Sequence, residues 1–183
     1  MGKTSMILIP LLSAFLCLLY PVNSLAYPNE PDGFREILWG TDIQTLANMA
    51  VAEKDGDDIF YSRTGDNLLI AGATIDQIHY GFYKGKFYSV IIRFQSRRNF
   101  LALKERLMET YGGVVLQQNP NQHDYKWGML ERFLGVVRLV QSKTVINLVY
   151  DEKTGKGHIA YLYRPIADRI NQGEASVSTE VHQ

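Results

Sequence analysis

Residues 75–94 constrain the fold more than any other part of the chain. In the first arm Ile78, Tyr80 and Phe82 alternate with His79, Gly81 and Tyr83. Beyond Lys84-Gly85 the second arm alternates again, with Tyr88, Val90, Ile92 and Phe94 on one face. A period of two along both arms is the pattern of strands with one buried face. The glycine in the two-residue connection supplies the positive φ of a tight hairpin turn. A hairpin of this kind has to bury its apolar face against a second layer. On this register the other face carries His79 and Tyr83 on one strand and Phe87, Ser89, Ile91 and Arg93 on its neighbour.

Helical signals flank the hairpin. Thr41 is placed as an N-cap with Gln44 three residues on, Asp42 sits in the first turn, and Ile43, Leu46, Ala47 and Ala50 form one apolar stripe. This predicts a helix ending near Ala52. A second helix is expected after Ser96, with Phe100, Leu103, Leu107 and Tyr111 at helical spacing and Gly112-Gly113 as its stop. Short strands are predicted at 59–63 and 68–70, then four more at 125–130, 133–140, 144–150 and 157–163, with Pro165 closing the last and a single helical turn at 166–170. Each half therefore reads as a helix followed by three or four strands. The expected fold is α+β in two layers, a pseudo-repeat with both helices on one face of a mostly antiparallel sheet. One domain is expected over 27–172, with a disordered polar tail at 173–183.

The N-terminus reads as a signal peptide over residues 1–26. Lys3 is followed by an uncharged apolar run, then by Pro21, Asn23 and Ser24, and Ser24-Leu25-Ala26 places small residues at the −3 and −1 positions. The run is shorter than the roughly 20 residues of a bilayer-spanning helix. Cleavage between Ala26 and Tyr27 and a periplasmic or secreted product are the expectation. The single cysteine, Cys17, lies inside this segment behind the large Leu16, so it lacks a lipobox, and the product would contain neither a disulfide nor a catalytic thiol. No stable membrane span is expected after cleavage. Lys plus Arg equals Asp plus Glu at 19 each. That balance lacks the basic excess of a nucleic-acid binder.

The order helix–strands–helix–strands on a small exported chain resembles the two-layer folds of the β-lactamase-inhibitor-protein and BamE-like group. Residues 34–41 (FREILWGT) and the hairpin residues 80–88 (YGFYKGKFY) are similar to those of uncharacterised exported bacterial proteins. The resemblance spans roughly residues 33–165 and implies a binding or assembly role. It transfers no functional residue, and the absent lipobox departs from the BamE-like lipoproteins.

Motifs for chemistry are sparse. His79, His123, His158 and His182 have no second histidine at metal-binding spacing, and His79 and His158 alternate with apolar residues, so they should face away from the core. Asp55, Asp57 and Asp58 around Gly56 lack the ligand alternation and closing Glu of a calcium loop and read as a solvated turn. No nucleophile elbow, phosphate loop or zinc-protease helix is present in the sequence. With eleven Tyr, eight Phe and two Trp, aromatic residues must fill the core and also reach the surface. The expectation is a non-enzymatic envelope protein, without cofactor or metal, that binds a protein or peptide through an exposed sheet face at His79, Tyr83, Phe87, Ile91 and Arg93. Trp127 fits either the core or that face. The alternatives are a small-molecule or lipid carrier with the sheet curled around an apolar cleft, and a hydrolase-like enzyme using scattered residues such as Asp58, His79 and Arg93.

Overall fold

The computed structural model describes residues 29–112, 116–119, 122–127 and 142–180, with 116–119, 122 and 173–180 described as backbone alone. The signal reading, Cys17 and the strand expected at 133–140 lie outside the described residues.

The core element is an eight-stranded antiparallel sheet. Its strands are β3 (Met49–Asp55), β4 (Asp58–Arg63), β7 (Gln77–Tyr83), β8 (Lys86–Gln95), β12 (Lys156–Tyr163), β11 (Thr144–Asp151), β10 (Gln122–Trp127) and β9 (Leu116–Asn119), in that spatial order. Two small hairpins, β1 (Gly33–Phe34) with β2 (Ile37–Leu38) and β5 (Leu69–Ile70) with β6 (Ala73–Thr74), stand apart from it. Among the described residues there are two α-helices, α1 (Arg97–Tyr111) and α2 (Arg164–Glu180).

The inner face of the sheet is apolar. Ile78, Tyr80, Phe82, Val90, Ile92, Phe94, Ile146, Leu148, Tyr150 and Ile159 are all buried there. Helix α1 closes one end of this face with Phe100, Leu103 and Leu107. The Phe100 ring stacks on Tyr150 at 4.7 Å, and Tyr150 lies parallel to Phe94 at 6.4 Å. Gly157, across from both Phe94 and Tyr150, leaves the space that the Phe94 ring occupies. The signals read for α1 hold: the Ser96 hydroxyl accepts from the Asn99 N–H at 3.4 Å, and Gly112 ends the helix at φ +83°. The β1–β2 hairpin and the segment after it close the other end. Phe34 meets Tyr80 and Tyr161 at 5.9 and 5.5 Å, and Trp39 stacks on Phe87 at 4.8 Å and Tyr163 at 6.0 Å. Trp127 is fully buried and donates to Gly112 O at 3.0 Å, so it belongs to the core.

This architecture overturns the two-layer pseudo-repeat. The helix expected after Thr41 is only a 3-10 turn, Ile43–Thr45, capped by Asp42, whose carboxylate accepts from Gln44 N–H at 2.9 Å. The chain then runs into β3, which pairs with β4. Ile43 and Leu46 of the proposed stripe do pack on the core, but Ala47 and Ala50 are exposed and have little side chain to bury. Pairing with β4 satisfies a row of backbone groups that a helix here would leave open on an edge strand. Among the described residues the first half thus has no α-helix. The two α-helices also lie on opposite faces: Ile166, Ala167 and Ile170 of α2 pack around Tyr88 in a cluster separate from the main core. Pro165 suits the first turn of α2, where its missing N–H has no partner to lose. The backbone of α2 continues past the single turn expected at 166–170 and through the segment read as a tail, as far as Glu180.

Candidate functional site

The outer face of the sheet is defined by residues that alternate with the core set. Cross-strand pairing lines up Asp124, Val149, His158, Arg93 and Gln77 in one row, and Lys126, Asn147, Ala160, Ile91 and His79 in the next. His79, Ile91 and Arg93 of the predicted set therefore come together; His79 and His158 lie on the outer side by register, but His79 is buried there rather than exposed, and His158 is half-buried. Helix α2 covers a different part of this face, where Tyr83 is half-buried beside Tyr88 and Tyr163.

Phe87 does not join them. It is fully buried on the inner face, against Trp39, Phe82 at 5.2 Å and Tyr80 at 6.0 Å. The reason is a β-bulge. Gly81 pairs with Ser89 but Phe82 pairs with Phe87, so Tyr88 is the extra residue and the alternation of β8 reverses across it. Tyr88, read as core, therefore reaches the outer face, where its hydroxyl donates to Asp58 Oδ2 at 2.7 Å. Burial pushes the Asp58 carboxyl up, opposed by the Tyr88 hydrogen bond and reinforced by Asp55 and Glu53. Gly81 carried the signal in the sequence: a glycine inside a strand pattern marks a bulge or a close approach. Here a Cβ at Gly81 would collide with Ser89 Oγ and the Phe60 ring.

Around Arg93 the chemistry is well defined. Its Nη1 donates to Gln77 Oε1 at 3.2 Å and lies 3.5 Å from His79 Nδ1, while the Gln77 amide nitrogen meets His79 Nε2. Gln77 thereby bridges the guanidinium and the imidazole. His158 sits opposite Arg93 on β12. Burial lowers the pKa of both histidines, and the Arg93 charge lowers it further; Glu53 opposes this at His79 and Asp124 at His158. Both rings are therefore mainly neutral at pH 7. Arg93 itself is exposed, and among the described residues no carboxylate comes within ion-pair distance of it. An uncompensated guanidinium between two neutral imidazoles can receive an anion and donate more than one hydrogen bond to it.

Sequence reasoning missed His158 and Gln77 as members of this group. Gln77 lies opposite Arg93 on the same hairpin, so its register could have revealed it, whereas nothing in the local pattern reveals that β12, which carries His158, lies beside β8. A second network, on the inner side, joins Arg35, Asp66 and Tyr80: Asp66 pairs with Arg35 and accepts from the Tyr80 hydroxyl at 2.8 Å. Burial first, then Asp66, pushes the Tyr80 hydroxyl far up. This network holds the β1–β2 turn, where Arg35 and Glu36 both take positive φ, +48° and +68°. Among the described residues no group of three His, Cys, Asp or Glu is placed to hold a metal ion, and no helix is long and apolar enough to cross a membrane. Comparison of the chain with protein-family models, curated proteins and solved structures finds no match in any of the three.

Proposed function

We propose that this chain is an exported envelope protein that binds a partner polypeptide on the outer face of its sheet, in the strip centred on Arg93 and bounded by Gln77, His79, Ile91 and His158. The observation that carries this reading is the exposed Arg93, held in place by Gln77 and His79 and lacking a counter-charge among the described residues. Central strands hold such side chains at fixed separations, so the face is preorganised and loses little freedom on binding. The aromatic residues first expected to supply the contact energy do not: Phe87 is in the core and Tyr83 packs beside α2. Polar recognition replaces the apolar patch expected from sequence.

A photo-crosslinking residue tests this. Placed at Gln95, exposed on the outer face two residues beyond Arg93 and outside the Arg93 network, it should form a discrete adduct in the native host; placed at Leu101, exposed on α1 across the sheet, it should not. Equal labelling from both positions, or none from Gln95, would defeat the reading.

A further inference from the structure

Resting on that reading, we infer that the Arg93 strip is a site for a side-chain carboxylate, an Asp or Glu of the partner polypeptide, bound by the Arg93 guanidinium with His79 and His158 at its sides. Three observations select this chemistry. First, only Nη1 of Arg93 is engaged within the described residues, by Gln77 and beside His79. The remaining edge of the guanidinium is free to make the two parallel hydrogen bonds that match a carboxylate. Second, Arg93 is the cation that acts on both imidazoles, and Glu53 and Asp124 are close enough to act on them as well. A phosphate dianion calls for a cluster of cations and is disfavoured beside those acidic groups, whereas a single carboxylate needs only the one guanidinium fork. Third, β8 is paired on both sides, with β7 and β12, so its backbone N–H groups are taken up in ladders. A free chain terminus is captured by open backbone amides, and this surface presents side chains only. The side-chain source is therefore favoured over the C-terminal one.

The probe is N-acetylglutamate α-amide, titrated at constant ionic strength into isotope-labelled protein. The Arg93 Nε–H and the Cε1–H signals of His79 and His158 are followed by NMR. Saturable shifts of all three are expected, with none from the neutral N-acetylglutamine α-amide. Arg93→Lys keeps the charge but loses the fork, and should weaken binding about tenfold, the equivalent of one charge-assisted hydrogen bond. Arg93→Ala should abolish it while leaving the remaining amide spectrum in place. Shifts that persist in Arg93→Ala, or equal shifts from the glutamine probe, overturn the inference. So does tighter saturation by inorganic phosphate, which would mark a dianion site, or by N-acetylglycine, which would mark a terminal carboxylate. Failure here with a surviving crosslink at Gln95 removes the carboxylate but leaves the binding face. Saturable carboxylate binding without a crosslink removes the polypeptide partner instead.

Discussion

Phe87→Ala separates the two registers that the hairpin could take. With the bulge, Phe87 is a fully buried core ring touching Trp39, Phe82 and Tyr80; without it, Phe87 would lie on the outer face among the binding residues. The loss can be reached by two routes. A buried aromatic side chain covers on the order of 150 Å², which at about 25 cal/mol per Å² is roughly 4 kcal/mol. Truncations of buried Phe to Ala cost about 3–5 kcal/mol directly. An exposed ring would cost under about 0.5 kcal/mol. Urea unfolding followed by tryptophan fluorescence reads the difference, because Trp39 stacks on the ring that is removed. With an m-value of about 2 kcal/mol/M, the midpoint should fall by about 2 M. The folded variant should still bind the glutamate probe, since Phe87 and Arg93 are on opposite faces. A midpoint shift below about 0.3 M, or loss of probe binding in a variant still folded, would refute the bulged register and with it the composition of the outer face.

Two further outcomes follow from the described geometry. Glu36→Gly, at an exposed turn position with φ +68°, should raise stability by about 0.5–1 kcal/mol, seen as a higher urea midpoint, because glycine occupies this region without the Cβ penalty. Stability should also fall as the pH drops below 6.5: folding lowers the pKa of His79 and His158, through burial and then Arg93, so the unfolded chain takes up protons that the folded chain resists. Their contribution is complete above pH 6.5 and is lost as pH falls through the folded values. Urea midpoints measured between pH 7.5 and 5 should show this slope, and it should flatten in the double variant His79→Gln, His158→Gln.

The parts of the fold legible in the sequence are those governed by local pattern. The β7–β8 arms, the cap and stripe of α1, and the alternation of β11 and β12 were all readable, because each depends on residues within one turn or one strand. Three features were not. The Thr41 capping pattern is a sound local signal, but strand pairing of residues 49–55 with β4 overrides it. The bulge beside Gly81 adds one residue to β8, and a period-two reading has no means of counting it, so Phe87 and Tyr88 exchange faces. The candidate site depends on β12 lying against β8, a tertiary fact: His158 becomes a neighbour of Arg93 only through that pairing. Gln77, His79, Ile91 and Arg93 all lie on one hairpin; His158 needed the other half of the chain.

That same β8–β12 pairing has a kinetic consequence. The sheet consists of two runs of antiparallel strands, β3-β4-β7-β8 and β9-β10-β11-β12, and within each run neighbours in space follow closely in the chain. Only the seam between β8 and β12 joins strands separated by α1 and three further strands. Closing that loop has an entropic cost that the local hairpins do not bear. Each run is built from local hairpins, whereas the seam brings distant parts of the chain together. Arg93 and His158 face each other across it, so the proposed binding strip is complete only where the two runs have joined.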